Sequence, residues 1–197
     1  MSAGALPERA AALLDFWFGP PGDPARQLRR DIWFRSTPEY DAAVRLNFLA
    51  DHEAAAAGRL VGWENTAAAA LALVLLLDQV PRNIFRGTPR AYGTDEIARS
   101  VTDRALKRRF DLALPVVWRK FFYLPFEHSE RLEDQRRSVL LFEALPKESE
   151  PAESIRIARR HCEIVERFGR FPHRNRLLGR ETSAAEAEFL KEPDSSF

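Results

Sequence analysis

The chain has 197 residues, of which 30 are basic and 29 acidic, and this balance argues against a dedicated nucleic-acid-binding protein, which is usually far more basic. The length fits one domain, residues 1–197, whose core needs no disulfide or structural metal, and the single cysteine, Cys162, excludes an internal disulfide and is typical of a reducing compartment. The N-terminal residues lack the basic segment and long apolar stretch of a signal peptide, so we expect a cytoplasmic protein.

Prolines, glycines and capping residues divide the chain into nine or ten short helices. The apolar run of residues 67–77 is too short for a membrane span of roughly 20 residues. We interpret this run as a core helix closed by Pro81, and we expect the sixth helix to end at Pro125. The tail, residues 191–197, is polar and is predicted to fray. The predicted helices begin near Pro7, Asp23, Thr37, Ala67, Thr94, Pro115, Ser129, Ser149, Pro172 and Ser183.

The fold class follows from these elements. No segment alternates polar and apolar residues for long enough to indicate a strand. Helices joined by short loops favour antiparallel neighbours. The sequence therefore predicts an all-α fold built from antiparallel helical hairpins.

Polar residues follow the apolar run directly, where continued apolar packing would be easier. A carboxylate at the C-terminal end of a buried helix opposes the helix dipole and needs a cation, which Arg82 or Arg86 supplies. One interpretation is an Asp–Arg pair that ties down the helix end, and the other is a ligand-binding site. The candidate ligand-binding residues here are Asp78, Gln79, Arg82 and Asn83.

A second polar junction lies at residues 123–130, where an apolar segment leads into Glu127 and His128. Ser129 is a good helix cap, which explains part of this junction as local structure. A histidine beside a carboxylate is also typical of a general base. We therefore treat Glu127 and His128 as candidate catalytic residues.

A third junction, residues 166–180, carries five arginines and one glutamate around a turn fixed by glycine and proline. Guanidinium groups near a helix N-terminus are typical of an anion-binding site. The alternative is that these arginines pair with carboxylates of the other two junctions. The candidate ligand-binding residues here are Arg170, His173, Arg174 and Asn175.

Two polar residues lie on apolar helical stripes. Gln135 shares a face with Leu132 and Val139, and His161 shares a face with Ile157 and Ile164. Such residues must find hydrogen-bond partners, and a satisfied core residue is the simpler interpretation for each. If both point toward the three junctions, they belong to a shared polar pocket, with Gln135 as a ligand-binding residue and His161 as a catalytic one.

Motifs for other kinds of site are missing from the sequence. It has no zinc pair at i, i+4 spacing, no P-loop, no glycine-rich dinucleotide turn and no nucleophile elbow. We therefore predict no metal and no cofactor.

The three junctions contain the blocks LLDQVPRNIFRGTPRAYGTD, YLPFEHSE and RFGRFPHRNRLLGR. These blocks resemble the signature blocks of the bacterial domain-of-unknown-function family 924. The likeness runs from Leu14 to Phe189, with small departures such as Val80, where that family usually has Phe. The resemblance implies an all-α, tetratricopeptide-like fold of helical hairpins and implies no activity or catalytic residues.

Two functions fit these observations. The first is a small-molecule-binding protein or enzyme with a pocket of Asp, Glu, His and Arg side chains for an anionic ligand. The second is a tetratricopeptide-like scaffold for a peptide or protein, whose polar clusters only hold the hairpins together. An open pocket favours the first function, and complete pairing of the polar groups favours the second. Nucleic-acid binding through residues 167–180 is disfavoured by the near-neutral net charge, and we expect no association with membranes.

Overall fold

The computed structural model describes residues 5–146 and 152–196. These residues form α-helices and short 3₁₀ turns without a strand, which confirms the all-α prediction. The predicted count of nine or ten helices was too high, because residues 24–33 form two 3₁₀ turns and Pro172–Arg174 forms another. The eight α-helices of the described residues are α1 (Glu8–Phe18), α2 (Pro38–Ala56), α3 (Ala67–Ile84), α4 (Asp95–Lys107), α5 (Val116–Glu127), α6 (Leu132–Glu143), α7 (Ala152–Phe168) and α8 (Ala184–Phe189).

Two prolines predicted to end helices lie inside them. α3 continues past Pro81 to Ile84, and α5 continues past Pro125 by two residues. A proline inside a helix deprives the carbonyl four residues earlier of its usual donor. In α3 this carbonyl belongs to Leu77, and the hydroxyl of Thr94 donates to it over 2.6 Å. The replacement bond lets α3 carry its polar residues one turn further.

The core is built around α3, whose residues 69–81 are all buried. α3 packs against α1, α2, α4 and α5, and each helix from α2 to α6 packs against the next one in the chain. Among the described residues, α3 is the one helix long and apolar enough to cross a membrane, but 83% of it is buried by the rest of the protein. The tetratricopeptide-like geometry implied by the resemblance stays a prediction.

An aromatic cluster fixes the segment 29–36 against α5. The rings of Phe18 and Trp118 stack with their centroids 4.2 Å apart, and the Trp33 ring lies edge-on to Phe121 at 5.0 Å. Burial of rings this large stabilises the fold by roughly 1.5–3 kcal/mol per side chain. The cluster thereby holds residues 29–36 as one wall of a space beside α5.

The C-terminal segment closes the fold along α7. Ser183 and Glu186 form the predicted capping box at the start of α8. In the tail, Asp194 pairs with Arg156 at 2.9 Å, and the Ser195 hydroxyl donates to the carbonyl of Leu190 at 3.2 Å. The predicted start of the eighth helix, at Ser149, lies outside the described residues, and fraying of the tail stays a prediction.

Candidate ligand-binding site

A cavity of about 580 Å³ lies where the three polar junctions meet. Its walls come from the segment 29–36, the C-terminal ends of α3 and α5, the N-terminal turns of α7, and the 3₁₀ turn Pro172–Arg174. Asp78 is buried behind this lining, whereas Gln135, Arg170 and Asn175 lie outside it. The predicted site residues within the lining are Gln79, Arg82, Asn83, Glu127, His128, His161, His173 and Arg174.

Asp78 and His128 form a buried pair at the cavity wall. The carboxylate of Asp78 is fully buried, and its Oδ1 lies 2.7 Å from Nδ1 of His128. Its Oδ2 accepts a hydrogen bond of 2.6 Å from Gln79, and Nη1 of Arg82 lies 3.3 Å from Oδ1. Burial alone would raise the pKa of Asp78, but the positive charges and hydrogen bonds around it lower the pKa. Asp78 is therefore ionised at neutral pH.

Arg82 is fully compensated by two carboxylates. Its guanidinium makes two hydrogen bonds to Asp95, of 2.7 and 2.9 Å, in addition to the contact with Asp78. Burial opposes the charge of Arg82, but Asp78 and Asp95 outweigh burial and raise its pKa. Asn83 is tied to the neighbouring wall, since it donates to Asp41 at 2.7 Å. These contacts make the end of α3 a rigid, charge-balanced wall.

Arg174 is a buried cation that shares its carboxylate with another arginine. Its side chain is 7% exposed, and among the described residues its ion-pair partner is Asp95 at 3.8 Å, which already binds Arg82. Nη1 donates to the backbone carbonyl of His128 at 3.0 Å, while Nε is buried without an acceptor in the described ranges. Burial and the charge of Arg82 lower the pKa of Arg174 to about 10. Arg174 thus stays positive at neutral pH with incomplete compensation.

The histidines of the cavity are neutral at neutral pH. Burial lowers the pKa of His161 to about 3 and that of His173 to about 4. Burial and the charge of Arg82 also lower the pKa of His128, against the opposing effect of Asp78. His161 Nδ1 lies 2.9 Å from the carbonyl of Ile157, to which it donates. The 3.9 Å approach of His161 to Glu127 is therefore a contact of a neutral ring with a carboxyl group.

Lys120 is a lining residue that the sequence did not reveal. Its side chain is 2% exposed, and its ammonium group lies 5.1 Å from the ring centre of Trp33 and 5.3 Å from that of Phe34. The run of residues 116–122 resembles an ordinary core helix, and this hid the lysine. Its spacing of seven residues from Glu127 places both on one face of α5, and that spacing was the available signal.

The lining carries a strong excess of positive charge. The lining contains three anionic residues, Glu127, Glu153 and Asp194, and eight cationic residues. Arg35, which is exposed at the edge of the cavity, makes no side-chain hydrogen bond or ion pair within the described parts of the chain. The eight cationic residues are Arg29, Arg35, Arg82, Arg86, Lys120, Arg156, Arg160 and Arg174.

The predicted residues outside the lining connect helices to one another. Gln135 donates to the carbonyls of Glu127 and Ser129, at 2.5 and 2.6 Å, and so holds the end of α5. Arg170 makes two hydrogen bonds to Glu186, at 2.7 and 2.9 Å, and these lower the pKa of Glu186 to about 2. Asn175 is fully buried and lies 3.4 Å from the hydroxyl of Thr182. These three residues support the fold around the cavity.

The chemistry of the site is that of charged side chains. Within residues 5–146 and 152–196, no three His, Cys, Asp or Glu side chains are grouped closely enough to hold a metal ion. The arrangement combines a buried Asp–His pair, an incompletely compensated arginine and an aromatic wall. Such a set of groups can bind a negative charge and move a proton.

Comparisons with known proteins agree with the resemblance. The sequence profile of the bacterial proteins of unknown function DUF924 matches residues 13–194. The solved structure of the protein of unknown function Atu0120 from Agrobacterium tumefaciens is 42% identical, with a TM-score of 0.82, over 92% of this chain and 96% of that chain. No curated protein matches the chain. Because the profile spans nearly all of its length, the chain belongs to the bacterial family of unknown function DUF924.

Proposed function

We propose that the cavity binds a small organic anion. The observation that carries this proposal is the state of Arg174, a buried guanidinium whose only carboxylate partner in the described residues is shared with Arg82. A buried charge with incomplete pairing is unfavourable. An anionic group of a ligand at this position would supply the missing acceptor through a charge-assisted hydrogen bond.

The size and lining of the cavity support an organic ligand. A volume of about 580 Å³ lies within the range of roughly 300–1,000 Å³ that is typical of small-molecule sites. The positive lining attracts negative charge, while Trp33, Tyr92 and Leu124 offer apolar surface for a carbon skeleton. A bare inorganic ion would leave that apolar surface uncovered.

A second candidate function is a scaffold that binds a peptide or protein. The hydrogen bonds of Gln135 and the pair of Arg170 with Glu186 have the character of intramolecular connections, as this alternative requires. It predicts that small anions stabilise the wild type no more than they stabilise a variant without Arg174. Thermal unfolding measured with and without small anions therefore separates the two functions.

The test is thermal unfolding in citrate, succinate, phosphate and pyrophosphate, each compared with chloride at the same ionic strength. We expect at least one organic anion to raise the Tm of the wild-type protein, since a ligand at 100 times its Kd stabilises by about 2.7 kcal/mol. Arg174→Met should lose this response. The matched control is Arg136→Met, which removes an arginine that is 62% exposed and lies outside the lining.

General salt effects and a specific site give different patterns. Kosmotropic anions such as phosphate stabilise many proteins through exclusion from the surface, and this effect shifts the wild type and both variants equally. A response that Arg174→Met lacks and Arg136→Met retains supports the site. An equal response of all three proteins contradicts the proposal.

A further inference from the structure

The ring of His128 is held in one orientation by its contact with Asp78. Nδ1 lies 2.7 Å from the carboxylate, which is itself fixed by Gln79 and Arg82. Because the ionised carboxylate can only accept, the proton of the imidazole lies on Nδ1 and Nε2 carries the lone pair. His128 keeps 14% of its side-chain surface exposed and lines the cavity, and its Nε2 makes no hydrogen bond within the described residues.

The anion-binding group lies beside this ring. Arg174 donates to the backbone carbonyl of His128 at 3.0 Å, and both side chains line the cavity, so a ligand held by Arg174 shares the cavity with the imidazole. Arg82 from α3 and Asp95 from α4 also act electrostatically on His128, and His128 in turn acts on His161 from α7. A base and a positive group that could stabilise developing negative charge thus lie on adjoining walls of the cavity.

We propose that the site is catalytic, with His128 as a general base that takes a proton from the organic anion bound at Arg174 and with Asp78 as a positioning residue. This inference rests on the proposed function. In the step, a bond from hydrogen to the ligand breaks, its electron pair stays on the ligand, and an N–H bond forms at Nε2. Asp78 stabilises the imidazolium, Arg174 stabilises the new negative charge, and the proton returns to the product afterwards.

The arrangement assigns different roles to the polar residues of the cavity. Asp78 has no exposed surface, so it acts only through His128. His161 already donates to the carbonyl of Ile157 and is 5% exposed. Among these side chains, His128 combines a fixed tautomer with an accessible nitrogen, and this combination defines the base.

The experiment uses diethyl pyrocarbonate, which acylates unprotonated and accessible imidazole nitrogens, with the modified residues read by peptide mass spectrometry at pH 7. We expect His128 to react faster than His161, which is 4% exposed. His52, which is 3% exposed between α2 and α3, serves as an internal reference for local unfolding. Asp78→Asn should slow the reaction of His128, because the neutral amide no longer fixes the proton on Nδ1.

Protection by ligand connects the base to the anion site. The anion that raises the Tm most among citrate, succinate, phosphate and pyrophosphate should slow the reaction of His128 about tenfold at ten times its Kd, since about a tenth of the sites then stay empty. Arg174→Met should keep the reactivity and lose the protection. Arg136→Met should keep both.

The outcomes separate this inference from the proposed function. If an anion raises the Tm through Arg174 but His128 is unreactive or unprotected, the cavity binds anions and His128 is not the base. If no anion raises the Tm, the proposed function fails, and the inference fails with it. Should Asp78→Asn not fold, the labelling and protection of the wild-type protein still decide the point.

Discussion

Two arginines on neighbouring walls of the cavity have opposite electrostatic environments. Arg82, at the end of α3, contacts Asp78 and makes two hydrogen bonds to Asp95, and its pKa is raised. Arg174, on the 3₁₀ turn Pro172–Arg174, lies 3.8 Å from the same Asp95, and its pKa is lowered to about 10. Both guanidiniums are mostly buried, so burial alone does not explain the difference.

The two environments distinguish charges that serve the fold from charges that are available to a ligand. A buried cation with its own carboxylates is a structural element, and removing it leaves those carboxylates uncompensated. A buried cation without a carboxylate of its own lowers stability by itself and gains from a bound anion. Arg82 therefore belongs to the structure of the wall, while Arg174 belongs to the proposed binding function.

The largest expected effect is the loss of stability in Arg82→Met. Without the guanidinium, Asp78 and Asp95 lose a buried positive charge, and breaking such a pair costs about 3–5 kcal/mol. Chemical denaturation measures the free energy of unfolding. The control is Arg104→Met, which breaks an exposed pair with Glu64 that is worth about 0–1 kcal/mol. If both variants lose the same small amount of stability, Arg82 is not a structural element of the wall.

The pH dependence of stability gives an effect of intermediate size. The pKa of His161 is about 3 in the fold, against 6.5 for the unperturbed side chain, so the unfolded chain binds a proton at a pH where the folded protein does not. Above pH 6.5 the titration of His161 does not lower the free energy of unfolding. As the pH falls from 6.5 toward 3, the free energy of unfolding decreases by about 1.4 kcal/mol per pH unit. Measurements between pH 6.5 and 5 avoid most carboxylate titration.

His161→Gln should reduce that slope by about the contribution of one proton. An unchanged slope in His161→Gln would mean that His161 titrates alike in the folded and unfolded protein.

Eight of the residues predicted from the sequence line the cavity, and they stood out because each junction breaks a rule of core packing. An apolar helix that leads into Asp78 and Gln79, and an apolar segment that leads into Glu127 and His128, are patterns that burial alone does not explain. Their convergence in one cavity depended on helix packing. The hairpin pattern predicts that the helices pack against one another, but it does not give the distances between their ends.

The sequence could not assign partners to the arginines. Arg170 and Arg174 lie four residues apart in one basic segment, yet the first meets Glu186 across a turn and the second faces the cavity. The choice depends on which carboxylate the fold brings near, and spacing along the chain does not contain that information. The prediction that the apolar helix ends at Pro81 was wrong for a related reason. The hydroxyl that replaces the missing donor comes from Thr94, thirteen residues later.

The smallest expected effect is the change in stability of Arg174→Met without ligand. Its size decides whether Arg174 differs from Arg82 in its contribution to the fold. The substitution removes a hydrogen bond to the carbonyl of His128, worth about 0.5–1.5 kcal/mol, and also removes a buried and poorly compensated charge. These effects oppose each other, so we expect the free energy of unfolding to change by no more than about 1 kcal/mol in chemical denaturation. A loss as large as that of Arg82→Met would place Arg174 among the structural charges, and the case for an anion at this point in the cavity would then lose its physical basis.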